Sequence, residues 1–121
     1  MVDSSMNRRY IFLFEATKIK VEPLNRRMAV GFIATFYCGA SGYDNKYSWE
    51  EKAPGGAWVQ SHQFGAKSEL LSVTAIPDLN GYQYRCKVTN GGATYYSAPA
   101  ILTVVEVSSI GTTNQFQPTD D

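Results

Sequence analysis

Residues 80–90 read NGYQYRCKVTN, and the alternation within that stretch decides what kind of molecule this is. Tyr82, Tyr84, Cys86 and Val88 fall on one parity, and Gln83, Arg85 and Lys87 on the other. That is the period-two pattern of a strand with one face in a core. Working back, KYSWEEK puts Tyr47 and Trp49 on one face of a second strand. MAVGFIATFYC puts Val30, Phe32, Ala34, Phe36 and Cys38 on one face of a third. SELLSVTAI adds Leu71 and Val73, and TKIKVE, stopped by Pro23, suits an edge strand. Working forward, Asn90–Gly91–Gly92 is a hairpin signal. The strand after it, ATYYSAPAILTVV, places Ala98, Ala100, Leu102 and Val104 in register, with Pro99 marking a bulge or an edge position. KAPGG supplies a further turn, and AWVQSH a short strand. Between Thr17 and Val105 no convincing helix and no internal repeat occurs, so the class is all-β.

The chain has 121 residues, one domain's worth. Hydrophobic residues make up 44% and charged residues 18%, a globular balance. Eleven basic residues offset eleven acidic ones, so the chain as a whole offers no long-range attraction to phosphate backbones or anionic lipid. Arg8 and Arg9 precede an apolar run, Tyr10 to Phe14, that ends at Glu15. A signal peptide needs an apolar stretch of about 7–15 residues and a small-residue cleavage site, and this run is too short. No run approaches the roughly 20 apolar residues of a membrane span. The expectation is a chain made without export, or a piece of a larger protein. Three segments are expected: an N-terminal arm over 1–16, a folded domain over 17–105, and a polar tail over 106–121. In the arm, Tyr10, Ile11, Phe12, Leu13 and Phe14 are a candidate anchor or added strand.

The order Cys38, Trp49, Tyr84, Cys86, with NGYQYRCKVTN and the SAPAILTV that follows it, resembles the immunoglobulin-like domain superfamily. The resemblance is closest to the Ig-like modules of bacterial surface proteins and tailed-phage virion proteins, and it covers residues 17–105. It implies a two-sheet Greek-key sandwich. In that sandwich Cys38 and Cys86 take the strand B and strand F positions and form a disulfide. Trp49 takes the strand C core position, and Tyr84 that of the tyrosine corner, whose hydroxyl bonds upstream backbone. Asn80 and Tyr82 stand where many members carry Asp and Gly, so the turn before the last-but-one strand is expected to differ. The bridge would close a loop of about fifty residues, worth roughly 4 kcal/mol in chain entropy. In a reducing compartment the two thiols would instead pack as small apolar groups.

Catalytic constellations are nearly absent. His62 is the single histidine, and its setting, QSHQF, reads as a solvated strand end. Cys38 and Cys86 occupy core positions and are poor nucleophile candidates. Asp78 and Asn80 match a fragment of a calcium loop without its remaining ligands, and turn formation accounts for them. The Gly55–Gly56 and Gly91–Gly92 pairs lie between strands, not before a helix that could cradle a phosphate. Arg8–Arg9 and Arg26–Arg27 read as solvated edge residues. The reading is non-enzymatic, with no metal and no cofactor.

The aromatic residues point elsewhere. Tyr43 falls in the loop between the Cys38 and Trp49 strands (B–C), Trp58 in AWVQSH after the KAPGG turn (C–C′), and Tyr95 and Tyr96 just after the Asn90–Gly91–Gly92 turn (F–G). Such rings suit a recognition surface, and these four are the candidate binding residues. The resemblance places the B–C and F–G turns at the same end of the sandwich. The expected function is a surface-displayed structural or binding module, a decoration protein of a phage capsid or tail. Its partners would be the virion shell, the tail or a neighbouring subunit, with weak adhesion to host-surface carbohydrate. The alternative is a module of a bacterial cell-surface adhesin. The chain carries no Asn-x-Ser/Thr sequon, which speaks against a glycosylated eukaryotic receptor domain.

Overall fold

The computed structural model describes residues 16–106. The arm residues Tyr10 to Phe14 and nearly all of the tail therefore lie outside the described residues. Ten strands follow in order: β1 (Lys18–Val21), β2 (Arg26–Ala29), β3 (Ile33–Tyr37), β4 (Gly39–Ser41), β5 (Lys46–Lys52), β6 (Val59–Gln60), β7 (Leu70–Thr74), β8 (Gln83–Asn90), β9 (Ala93–Tyr96) and β10 (Ala100–Val105). The one helical element among them is a 3₁₀ turn, Pro77–Leu79.

The strands form two layers. In the larger, the order is β2-β10-β8-β5-β6, with β9 also on β8. In the smaller, β1 pairs with β4 and β3 with β7, all antiparallel. β3 and β4 are successive parts of one strand interrupted at Cys38, whose N–H donates to the Glu69 carbonyl at 3.0 Å. The β1 ladder ends at Val21, opposite Gly39, and the chain then passes through Pro23 to the larger layer. It then enters β2, which runs parallel to β10 from Arg26 opposite Leu102 to Ala29 opposite Val105.

Between the layers lies one core. Ala34, Phe36 and Cys38 come from one side with Leu71 and Val73; Trp49, Tyr84, Cys86 and Val88 come from the other. Each large apolar side chain buried here contributes on the order of 1.5–3 kcal/mol. Trp49 is fully buried, and its indole N–H donates to the Ser68 carbonyl at 2.8 Å. The Phe36 and Tyr84 rings meet at 5.0 Å between centroids.

Four expectations from the sequence are corrected. The third strand does not begin at Val30. Residues 29–32 make a turn, closed by a bond from the Phe32 N–H to the Ala29 carbonyl at 3.1 Å, with Gly31 at φ 93°. That positive φ is accessible to glycine at little cost. Phe32 is accordingly 64% exposed, while Ala34, Phe36 and Cys38 keep the core face.

Ala98 also leaves the register of Ala100 and Leu102. Lys87 faces Tyr96 but Tyr84 faces Ala100, so one extra residue is inserted on the β9–β10 side, across Ser97–Pro99. This is the bulge that Pro99 marked.

The Cys38–Cys86 disulfide is not present. Both are buried free thiols, within side-chain hydrogen-bonding reach of each other. Two small apolar groups fill that part of the core without a covalent bond. That hydrogen bond and burial together push the Cys86 thiol well above its ordinary range.

The tyrosine-corner bond is missing as well. The Tyr84 hydroxyl is buried and has no hydrogen-bond partner among the described residues. Asn80, which stands where the family pattern has Asp, turns its Oδ1 to accept from the Val104 N–H at 2.9 Å.

Candidate functional site

The outward face of the larger sheet is built from alternate residues of β5, β8 and β9. Because Trp49 opposite Cys86 points into the core, Glu50 opposite Arg85 and Ser48 opposite Lys87 must point out. Tyr96, opposite Lys87, shares that outward face, and Tyr95, opposite the buried Val88, does not. Adjacent tyrosines that looked alike in the sequence are thus divided between the two faces of one strand.

Arg85 organises this face. Its Nε and Nη2 both donate to Oε1 of Glu50 at 2.9 Å. Its guanidinium lies over the Trp58 ring at 4.3 Å and over the Tyr96 ring at 4.2 Å. The strand order places Trp58, next to β6, and Tyr96, on β9, on opposite sides of β8. Each cation–π contact contributes about 0.5–1 kcal/mol at such a site. Arg85 and Glu50 side chains are 25% and 16% exposed, so a tethered cation is held at the surface with its rotamer fixed. Trp58 and Tyr96 were named from the sequence as candidate binding residues, without a place on this face. Arg85 and Glu50 were not: the sequence marked Arg85 only as outward-facing. The available signal was the pairing of two outward, opposite charges on neighbouring strands, which needs the register.

Tyr43 sits elsewhere, at the end of the sandwich, 70% exposed. Its carbonyl accepts from Asn90 Nδ2 at 2.6 Å, and Asn90 also donates to Asn45 Oδ1 at 3.0 Å. Asn45 in turn donates to the Ser41 carbonyl at 2.9 Å. These bonds tie the B–C loop to the F–G turn at one end, as the resemblance implied. The four candidate aromatics therefore make no single cluster: Trp58 and Tyr96 meet through Arg85, while Tyr43 and Tyr95 stand apart from that pair.

The other sequence candidates fall into structural roles. His62 is exposed beside an open depression lined by Gln60, Ser61, Gln63 and Lys67 among others, with no carboxylate in its wall. Arg26 is no solvated residue: it is half-buried on the edge strand and its Nε donates to the Thr35 carbonyl at 2.8 Å, joining the two layers. Arg27 is exposed, as expected. Among the described residues no group of three or more His, Cys, Asp or Glu is placed to hold a metal ion. No helix there is long and apolar enough to cross a membrane.

Neither a protein-family model nor a curated protein sequence matches this chain. Solved structures do. One holds tandem Ig repeats of Dlar, at 20% identity and TM-score 0.60, covering 74% of this chain and 48% of that one. The fold is immunoglobulin-like. The N-terminal Ig1-2 module of the Drosophila receptor protein tyrosine phosphatase DLAR is similar at 24% identity and TM-score 0.56, covering 80% and 53%. A complex of titin M10 with an obscurin-like 1 Ig domain is similar at 22% identity and TM-score 0.56, covering 77% and 96%. The chain spans about half the length of the two tandem modules and nearly all of the third chain.

Proposed function

We propose that this Ig-like domain is a non-enzymatic recognition module that binds a protein partner through the outward face of its larger sheet. The observation that carries the reading is Arg85, clamped by Trp58 and Tyr96 and bonded to Glu50. Tryptophan, tyrosine and arginine dominate the energetics of protein interfaces. Here they are pre-ordered, which lowers the entropy lost on binding. The face is open and the rings already spend one side on the guanidinium, which suits a flat protein surface better than a sugar in a cleft.

The finer setting is part of the same proposal. A virion decoration module comes first and a bacterial adhesin module second. Both rest on the resemblance read from the sequence, the first also on the composition of the two terminal segments, and the likeness to eukaryotic Ig domains adds nothing to either.

The test is retention of the labelled full chain on intact bacterial cells, before and after protease treatment, and on a glycan array. The expected result is binding lost on protease treatment and in the Trp58→Ala/Tyr96→Ala double variant, which still unfolds cooperatively after losing the roughly 1–2 kcal/mol of its two cation–π contacts. Retained binding by that variant, or binding to the array, overturns the proposal.

A further inference from the structure

Beside the Arg85 cluster, on the same face, an open trough of about 500 Å³ runs between β5, β8 and the segment after β6. Lys46, Lys67 and Lys87 line it, together with Ser48, Gln60 and Thr89, and its wall contains no carboxylate. Ser48 is the fixed point of the floor: its hydroxyl donates to Gln60 Oε1 at 2.8 Å and accepts from Lys67 Nζ at 3.3 Å. Lys46 has one acidic neighbour, Asp44, at 3.9 Å and with both side chains largely exposed. Lys67 and Lys87 have no carboxylate within ion-pair distance among the described residues.

The register explains why the cations converge. Lys46 opposite Thr89 and Ser48 opposite Lys87 are successive outward pairs on β5 and β8. Ser61 N–H donates to the Trp49 carbonyl and Trp49 N–H to the Ala66 carbonyl, at 2.9 and 2.7 Å. Those two bonds lay the 61–66 segment along β5 and bring Lys67 to the same wall. In a chain with zero net charge, three cations around one trough with Glu50 already engaged by Arg85 make a local positive field that the composition conceals.

We infer that this trough binds carboxylates, and that the partner presents it with an acidic peptide segment of Asp and Glu side chains. The inference rests on the protein-binding reading above and names the chemistry of the partner's contact segment. Ammonium groups give charge attraction, and the hydroxyl and amide groups of the trough add short hydrogen bonds to the carboxylate oxygens. A sulfated glycan would be drawn by the same charge and is a distinct outcome.

The experiment is an amide chemical-shift titration of the full chain with three probes: a hexaglutamate peptide, a hexaglutamine peptide and a sulfated hexasaccharide. The expected result is saturable shifts with hexaglutamate confined to residues 45–48, 60–67 and 87–89, and none with hexaglutamine. Raising salt from about 0.05 M to about 0.5 M should weaken the binding about tenfold, because the Debye length shortens. Lys67→Gln/Lys87→Gln should weaken it by about tenfold or more, while Lys18→Gln/Lys20→Gln, on the other sheet, leaves it unchanged. Tighter binding of the saccharide, shifts spread over every lysine-bearing surface, or no response overturns the inference. The Trp58→Ala/Tyr96→Ala variant keeps hexaglutamate binding, so loss of either proposal is read independently of the other.

Discussion

Tyr84 places a hydroxyl in the core with nothing among the described residues to bond it, and that has two measurable consequences. Leaving a buried donor unsatisfied costs more than a typical hydrogen bond returns. Tyr84→Phe removes the unsatisfied group and keeps the ring contact with Phe36 at 5.0 Å. It should therefore raise unfolding free energy in urea by about 1 kcal/mol, where a bonded tyrosine corner would lose stability. A measured loss of that size refutes the assignment. The second consequence is pH dependence. Burial, with the nearby Glu51 charge, pushes the Tyr84 phenol well above its ordinary value, and burial raises Tyr47 as well. The folded state then keeps protons that the unfolded state releases above about pH 10. Stability is fully present below that pH and falls as pH rises through it. The urea midpoint should decline above pH 10, less steeply in Tyr84→Phe. An equal decline in both proteins would assign the effect to other groups.

At the scale of the element, the last strand shows how a bulge is kept satisfied. The one-residue slip between β9 and β10 leaves the local ladder without its usual acceptors, and side chains fill the gaps. Ser97 Oγ accepts from the buried Cys86 N–H at 2.9 Å, Glu22 Oε1 accepts from the Ala98 N–H at 2.8 Å, and Asn25 Oδ1 from the Ile101 N–H at 2.8 Å. Ser97 is itself buried. Ser97→Ala should cost about 1–3 kcal/mol, because it strands a buried N–H, and should speed amide exchange at Cys86 far more than at Val88. A variant with unchanged stability would mean that the slip closes on its own.

The same strand separates what could be read in advance from what could not. Core positions on β5, β7 and β8 were legible because alternation reports a buried face directly. Ala98 was misplaced because an inserted residue inverts parity without leaving a compositional mark beyond Pro99. β2 was missed for a related reason: its residues are split between Arg26–Arg27 and the start of an apolar run, and only Gly31 hints at the break. Within the candidate site, Trp58 and Tyr96 could be named from residue type. The Arg85–Glu50 pair and the lysine trough depend on cross-strand register, which no local pattern encodes.

At the scale of the whole molecule, the described residues form two layers around a single buried core. Every residue of the buried cluster falls between Ala34 and Leu102, and strands at both ends of the described region are paired, β1 with β4 and β10 with β8 and β2. Among the described residues, the core is thus assembled entirely within 34–102 and flanked by paired strands. A chain trimmed to 16–106 should unfold cooperatively, with a free energy within about 0.5 kcal/mol of the full chain, the range for changes outside the core. Its hexaglutamate titration should be unchanged as well, because the trough is assembled from β5, β8 and the segment between β6 and β7. Urea melts and the titration, run side by side on both lengths, check this. A trimmed chain that loses cooperativity would place part of the core's support in the terminal segments. A trimmed chain that stays folded but no longer binds would make one of those segments a wall of the site, and the partner would have to be sought there instead.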